Sequence, residues 1–171
     1  MSKHTINICH YQSPCGELLL GEKEGKLCLC DWKNIKHRRR NDNRIRRFLK
    51  AEYAEGKSEV LLLAAKELDE YFAGGRTEFD VPLLFAGTEF QRSVWNALLG
   101  IPYGETRSYM DIARQVGNPN GVRAVAQAVG ANGIGIMVPC HRVIGSDRSL
   151  TGFAGGLDAK RLLLELEKSL P

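Results

Sequence analysis

The spacing of apolar residues changes near residues 78–86 of this 171-residue chain, and no other feature of the sequence limits its fold as much. Upstream, the short runs INICHYQ, GELLLGE and KLCLCDW are separated by SPCG and KEGK, where Gly16 and Gly25 suit tight turns. Downstream, apolar residues recur at helical spacing. The pattern predicts an α+β protein of two domains, residues 1–82 and residues 83–171.

The first domain is predicted to be an α/β unit built on an antiparallel sheet of the three runs. Residues 58–72, SEVLLLAAKELDEYF, predict a helix capped by Ser58. Residues 76–87, RTEFDVPLLFAG, predict an extended linker. The apolar face of the helix is predicted to comprise Leu61, Leu62, Ala65, Leu68 and Phe72.

Positive charge is concentrated in residues 33–50, KNIKHRRRNDNRIRRFLK. This basic segment holds nine Lys and Arg residues against one acid, Asp42, a net charge of 9 − 1 = +8. Since the whole chain carries +4, the remainder sums to 4 − 8 = −4. Such a cluster attracts polyanions. A solvated helix face or a mobile loop is an equally good interpretation at this point.

The cysteines and the apolar runs indicate a cytoplasmic protein with no membrane partner. The chain has no run of 18 apolar residues, and its first residues, MSKHTINICHYQ, contain no apolar signal core. An odd number of cysteines without a secretion signal argues against a disulfide framework. The five cysteines are Cys9, Cys15, Cys28, Cys30 and Cys140.

The second domain is predicted to be mostly helical. TEFQRSVWNALLG opens with Thr88 and Gln91 at capping-box spacing. Two short helices follow, SYMDIARQVG with Ser108 as its cap and GVRAVAQAVG, joined by a turn that contains Gly117. This arrangement is typical of a helix-turn-helix, although a pair of core helices without a DNA role has the same pattern. The first of these three helices has its apolar stripe at Phe90, Val94, Trp95, Leu98 and Leu99.

The second helix of the pair has few side chains that can identify a base. Its only long polar residues are Arg123 and Gln127, and small residues such as Gly121 and Ala124 surround them. Small residues allow close approach to a narrow groove but carry little base information. We therefore expect double-stranded DNA to be bound with little sequence preference, in the minor groove, with Arg123 probing or displacing a base.

The stretch MVPCHRVIG places a candidate nucleophile beside a candidate base. Cys140 reacts only as a thiolate, and His141 could take its proton. The apolar neighbours suggest a strand, in which the two side chains would point to opposite faces. The pair can therefore interact only if the chain forms a turn here. A last helix over residues 157–168 puts Glu165 on its polar face. Glu167 falls about 40° from Leu163, at the edge of the apolar face, which makes it the candidate orienting carboxylate. A buried inert thiol is the alternative for Cys140.

Several stretches resemble the O6-alkylguanine-DNA alkyltransferases, also called methylated-DNA–protein-cysteine methyltransferases. They are VPCHRVIG, LDEYFAGG, TEFQRSVWNALLGIPYGETRSYMDIA and VRAVAQAVGANGIGIMVPCHRVIGSDRSLTGFAGGLDAKRLLLELE. The resemblance implies a ribonuclease H-like first domain and a winged-helix-like helix-turn-helix in the second. It also implies repair of alkylated guanine in DNA, by one irreversible transfer of the alkyl group to Cys140 after base flipping, in a monomer without cofactor or metal.

The resemblance also assigns roles to individual residues. His141 takes the thiol proton through a water, Glu167 orients His141, and Asn132 braces the turn before the active-site loop. Tyr109 helps rotate the target out and donates to the base. The carbonyls of Cys140 and Val143 and the amide of Ala154 also contact the base. Arg123 enters the stack, and the DNA-binding face comprises Arg123, Tyr109, Gly121, Ala124 and Gln127.

The chain departs from the family in ways that leave alternatives open. Phe153, on the substrate-binding side, and Gly135 stand where some relatives have tyrosine and proline, and both differences are expected to widen or loosen the pocket. Some relatives carry a structural zinc, and adjacent strands could bring Cys9 near Cys28 or Cys30, although the spacing matches no known ligand set. The rival functions are an alkyltransferase-like damage-binding protein, a helix-turn-helix regulator with a sensor cysteine, and a cysteine hydrolase.

Overall fold

A computed structural model describes residues 4–35, 38–153 and 155–171 of the chain. These residues form two compact units, Met1–Gly87 and Thr88–Pro171. The first unit is built on a β-sheet and the second is mostly helical, which confirms the predicted α+β class. Within the described ranges, no helix has the length and apolar character needed to cross a membrane.

The sheet of the first unit has four strands in the order β3-β2-β1-β4. Strands β1 (Thr5–Ser13), β2 (Gly16–Lys23) and β3 (Lys26–Trp32) are antiparallel, as predicted. Strand β4 (Glu52–Glu55) runs parallel to β1 and was not predicted. Its sequence, EYAE, is too short and too polar to be recognised, because an edge strand needs little apolar surface.

Two helices cover opposite faces of this sheet. The basic segment forms α1 (Arg38–Leu49), whose Ile45 packs in the core cluster on one face. Helix α2 (Glu59–Phe72) lies on the other face, where the Tyr11 hydroxyl of β1 donates to Asp69 Oδ1 at 2.6 Å. Successive strand residues point to opposite faces, so each helix packs against alternate residues of the strands.

Helix α2 begins where the sequence predicted, but its buried face is rotated from the predicted one. The Ser58 side chain accepts from the Leu61 amide at 3.1 Å. Leu62 is 68% exposed. The buried face of α2 recurs every three or four residues, so that only the first of the three consecutive leucines at positions 61–63 is buried. The buried residues of α2 are Leu61, Ala64, Glu67, Leu68 and Tyr71.

The predicted linker packs against the edge of the sheet. The Leu27 amide donates to Pro82 O and the Leu84 amide donates to Leu27 O, each at 2.8 Å. The buried Glu67 carboxylate accepts from the amides of Asp80 and Val81. The prediction divided the chain between residues 82 and 83, whereas the first unit continues to Gly87 because residues 82–84 pair with β3.

The second unit begins with helix α3, whose predicted capping box is confirmed by reciprocal bonds between Thr88 and Gln91. Trp95 Nε1 donates to Ala128 O at 2.8 Å and ties α3 to α5. The prediction that Leu99 belongs to the buried stripe is wrong. Leu99 is 44% exposed, since it lies about 100° around the helix from the buried Leu98. The helices of this unit are α3 (Glu89–Leu99), α4 (Tyr109–Gln115), α5 (Val122–Gly130) and α6 (Leu157–Leu166).

The predicted pair of short helices is present as α4 and α5. The Ser108 side chain caps α4 by accepting from the Asp111 amide at 3.0 Å, and the Asp111 carboxylate accepts from the Ser108 amide. A Cβ on Gly121, at the start of α5, would lie 2.2 Å from Asn118 Nδ2, so a larger residue there would require the Asn118 side chain to move. Two short parallel strands, β5 (Arg107–Ser108) and β6 (Val143–Ile144), connect the start of α4 to the segment that follows Cys140.

The N-terminal cysteines are not arranged as the zinc alternative requires. Strand β2 separates β1 from β3, so that Leu20 lies between Cys9 and Cys30 in the sheet. Cys9 therefore does not lie on a strand adjacent to Cys28 or Cys30, as the zinc alternative would need. In the described part of the chain, no group of three His, Cys, Asp or Glu residues could hold a metal ion. None of the five cysteines is in a disulfide.

Candidate active site

Cys140 opens a 3-10 turn, Cys140–Arg142, and not the buried strand that its apolar neighbours suggest. Pro139 precedes the turn, the Arg142 amide donates to Pro139 O at 3.0 Å, and the Val143 amide donates to Cys140 O. Cys140 is 8% exposed. The turn removes the strand geometry that would have pointed Cys140 and His141 to opposite faces.

His141 and Glu167 form a fully buried hydrogen-bonded pair. His141 Nε2 lies 2.8 Å from Glu167 Oε2, and His141 is 0% exposed. Burial would raise the pKa of Glu167, but the hydrogen bonds from His141 and Arg142 outweigh it and lower that pKa to about 2. An ionised carboxylate only accepts, so Nε2 carries the proton and Nδ1 carries the lone pair.

Burial keeps His141 neutral and available as a base. Desolvation lowers the pKa of His141, and the hydrogen bond that His141 donates to Glu167 offsets this in part. Within the described residues, Nδ1 is buried and makes no hydrogen bond to the protein. The lone pair on Nδ1 of neutral His141 therefore points away from Glu167. Since His141 directly follows Cys140 in the chain, this lone pair is the candidate acceptor of the thiol proton.

Arg142, which the sequence analysis did not single out, holds the carboxylate of this pair. Its Nε donates to Glu167 Oε1 at 2.7 Å, its Nη2 donates to Oε2 at 3.0 Å, and its Nη1 donates to Ile101 O at 2.6 Å. The two-pronged contact fixes the orientation of the carboxylate as well as its charge. No spacing in the sequence pointed to this role, because it depends on the turn.

Glu167 lies just beyond the last helix and not within it. Helix α6 ends at Leu166, whereas the sequence predicted a helix to Lys168. Glu167 is the C-terminal cap, and Lys168 has a left-handed backbone with φ 57°, which ends the helix. Glu167 is only 2% exposed, so it is buried beside the apolar face and not at its edge.

Lys160 is a second buried cation that the sequence analysis missed. It is 0% exposed, and its Nζ donates to Val143 O at 2.6 Å and to Thr151 O at 2.9 Å. Desolvation lowers its pKa to about 8, and the negative charge of a Cys140 thiolate acts in the opposite direction. The sequence did contain a signal, since Lys160 precedes Leu163 by three residues on the apolar face of α6.

Asn132 connects the end of α5 to the turn that holds Cys140. Its Nδ2 donates to Ile134 O at 3.3 Å and to Val138 O at 3.0 Å, and its Oδ1 accepts from the Ile134 amide at 3.0 Å. Asn132 is only 4% exposed. One side chain thus satisfies three backbone groups of the segment that leads to Pro139.

The residues expected to contact the base lie around the loop between β6 and α6. The half-buried Tyr109 donates from its hydroxyl to Thr151 O at 3.2 Å or Gly152 O at 3.4 Å, and burial raises its pKa. Phe153 is half-buried, and its carbonyl accepts from the Gly156 amide. The predicted contact at Ala154 lies outside the described residues.

Helix α5 presents one exposed face of small and polar residues. Arg123, Ala124 and Gln127 are exposed, and Gly121 at its start is half-buried. Together with Tyr109 of α4, these four residues are the ones that were predicted to contact DNA. The opposite face packs into the unit through Val125, Ala128 and Val129.

Two family models match the chain. The ribonuclease-like domain of 6-O-methylguanine DNA methyltransferase matches residues 9–85, and the DNA-binding domain of the same family matches residues 89–169. A methylated-DNA–protein-cysteine methyltransferase of Methanosarcina acetivorans is 46% identical over 160 residues, which cover 93% of this chain and 96% of that protein.

Two further relatives extend the comparison. A Mycobacterium bovis protein of the same name is 61% identical over 106 residues, or 62% of this chain, and the match spans only 64% of that protein's length. A crystal structure of Mycobacterium tuberculosis OGT in complex with DNA is 44% identical, with a TM-score of 0.79. That match covers 96% of this chain and 93% of the crystallised chain.

Proposed function

This chain belongs to the 6-O-methylguanine DNA methyltransferase family, and on that premise we propose that it repairs DNA by transferring the alkyl group of O6-alkylguanine to Cys140. The observation that carries the proposal is the buried His141–Glu167 pair, adjacent to a cysteine that is almost buried. O4-alkylthymine is a second possible substrate of the same chemistry.

The proposed transfer starts with loss of the thiol proton. His141 Nδ1 accepts it, directly or through a water, and Glu167, which Arg142 holds in place, stabilises the resulting imidazolium. The Cys140 thiolate attacks the alkyl carbon, an S–C bond forms, and the C–O6 bond breaks with its electron pair passing to guanine. The guanine anion takes up one proton and His141 releases the one that it accepted, so the step is balanced and uses no metal or cosubstrate.

The loop between β6 and α6 is proposed to bind the flipped base. Val143 O, which accepts from Lys160, and Cys140 O, which accepts from the Val143 amide, are the proposed acceptors of the guanine amino group. Donation by Tyr109 to the base requires its hydroxyl to leave Thr151 O. Ala154 is the proposed amide donor, Phe153 is a proposed wall of the pocket, and Asn132 positions the turn.

Flipping is proposed to depend on α5. An alkylated, poorly paired guanine leaves the stack at lower cost than a normal base, and Arg123 would take its place while Gly121, Ala124 and Gln127 lie along the minor groove. We propose that the protein acts as a monomer in the cytoplasm, where its five thiols stay reduced. The thioether product has no acidic proton and no ready leaving group, so each molecule acts once.

A labelling experiment tests the function directly. Duplex DNA that carries methyl-labelled O6-methylguanine is incubated with the protein, which is then digested. We expect one label per protein molecule, on the peptide that contains Cys140, and none with Cys140→Ala. No transfer with intact DNA binding would instead support the damage-binding alternative. Turnover beyond one label would support a hydrolase, and reversible oxidation with a defined operator would support a regulator.

The Arg123→Ala variant tests the proposed flipping role. We expect it to slow repair of duplex DNA roughly 10- to 100-fold, because unstacking the target costs a few kcal/mol that Arg123 would offset. Reaction with free O6-methylguanine base should keep the wild-type rate. Arg161→Ala, which removes an exposed arginine from α6, is the matched control. Equal slowing on duplex and free base would contradict this role.

A further inference from the structure

Five of the six arginines of α1 fall into two groups with different surroundings, and the sixth, Arg46, is half-buried with its Nη1 3.7 Å from Glu52 Oε1. Arg38 bonds Asp42 and lies 3.6 Å from Asp31, and Arg44 donates to Ala86 O and Asn41 Oδ1. Burial of these guanidinium groups serves the fold of the first unit. The other group is exposed to solvent and comprises Arg39, Arg40 and Arg47.

The exposed group lies on one face of the helix, which we call the basic face. Taking about 100° per residue, Arg39, Asn43, Arg47 and Arg40 fall within an arc of about 100°. The distance along the axis from Arg39 to Arg47 is about 12 Å at about 1.5 Å per residue. Asp42, the only acidic residue of segment 33–50, is directed to Arg38 and Tyr53 and does not neutralise this face.

This geometry suits the phosphates of DNA. Each strand of a duplex carries one phosphate per about 3.4 Å of axis, so a face of about 12 Å can meet about three of them. Arginine forks bind phosphate oxygens in pairs, and Asn43 on the same face can donate a further hydrogen bond. A membrane surface is a poor match, because an interfacial helix needs a wide apolar face, whereas Ile45 of α1 is buried in the core.

We propose that the basic face of α1 is a second DNA-binding surface, which contacts the phosphate backbone without regard to sequence or damage. This inference rests on the proposed function in one respect, namely that duplex DNA is the binding partner. Unlike the proposed active site, it contributes affinity and not chemistry. Its contribution should therefore appear with undamaged DNA and should fall steeply with salt.

The test compares two variants that lose the same charge. The basic-face variant is Arg39→Gln, Arg40→Gln and Arg47→Gln. The control is Lys26→Gln, Lys57→Gln and Lys66→Gln, which removes three exposed cations from the same unit outside α1. Binding to an undamaged duplex is measured over a salt series, together with the rate of reaction with free O6-methylguanine base and the thermal unfolding of each protein.

We expect the basic-face variant to bind DNA about 10- to 100-fold more weakly and its log–log salt slope to become shallower by about 2 to 3. The control should change both quantities much less, and neither variant should alter the reaction with free base. Equal losses in the two variants, or none in the first, would overturn the proposal. A loss of affinity for poly-glutamate or for phosphatidylserine vesicles in the basic-face variant that exceeds its loss for DNA would also overturn it.

The outcomes separate this inference from the proposed function. A protein that transfers no alkyl group can still show the predicted loss of DNA affinity, and a protein that repairs DNA can show none. If the triple variant unfolds, the single variants Arg39→Gln and Arg47→Gln are measured instead. Each should make the salt slope shallower by about 1.

Discussion

Replacement of Glu167 by glutamine is expected to lower the free energy of unfolding by about 3 to 5 kcal/mol. The neutral amide has one acceptor oxygen in place of two, so at least one bond from His141 or Arg142 is lost, and a guanidinium that is 6% exposed loses its counter-charge. Alkyl transfer should also slow on the order of 10²- to 10⁴-fold, because the imidazole loses the group that sets its tautomer and stabilises its protonated form. Urea unfolding and single-turnover rates measure the two effects.

The control for Glu167→Gln is Glu165→Gln, two residues earlier in the chain. Glu165 is exposed on α6, so its replacement should change stability by no more than about 0.5 kcal/mol and leave the transfer rate intact. Similar losses from the two substitutions would contradict the assigned role of Glu167. If Glu167→Gln does not fold, Arg142→Lys tests the same contact, since lysine cannot form the two-pronged bond.

Acid should destabilise the wild-type protein over a defined range. The pKa of Glu167 is lowered to about 2 in the folded state, from an ordinary value of 4.5. The stabilisation it provides is therefore complete above about pH 4.5 and is lost as the pH falls toward about 2. The low pKa of buried His141 adds a second loss of stability, which begins below about pH 6.5 because the unfolded chain takes up a proton there that folded His141 does not. Glu167→Gln should lack the first of these two losses.

Replacement of Lys160 by methionine is expected to slow alkyl transfer about 10- to 100-fold. A nearby cation favours the thiolate over the thiol, so its loss reduces the thiolate fraction of Cys140. Val143 O and Thr151 O also lose a shared donor, which loosens the loop proposed to hold the base. Duplex DNA and free base should be affected alike, while affinity for undamaged DNA should stay constant. Unchanged rates, or slowing on duplex alone, would contradict this role.

The stability of the Lys160 variant has a distinctive pH dependence. The folded pKa of about 8 lies below the ordinary 10.5, so between these values the unfolded chain keeps a proton that folded Lys160 has lost. The wild-type free energy of unfolding therefore gains a rising contribution from about pH 8 to 10.5. Lys160→Met should lack this contribution, whereas Arg161→Met should keep it. Parallel stability curves for wild type and Lys160→Met would contradict the assignment.

Features that depend on neighbours in the chain were predictable from the sequence. The three antiparallel strands, the Ser58 and Ser108 caps, and the Thr88–Gln91 capping box follow from turn residues and side-chain spacing. The motif around Cys140 and the resemblance it carries also came from contiguous residues, and the family comparisons confirm the family. Local rules suffice because these features form within one turn or one strand.

The tertiary structure decided which of the charged residues are buried together. His141 and Glu167 are 26 residues apart, Arg142 and Glu167 are 25 apart, and Lys160 reaches Val143 across 17 residues. The helical wheel placed Glu167 only at an edge, and although it put Lys160 on the apolar face of α6, it did not identify the carbonyls that Lys160 binds. The division of the basic segment into buried and exposed arginines likewise depends on the sheet beneath α1. Burial is a property of several packed elements, so no single stretch of sequence contains it.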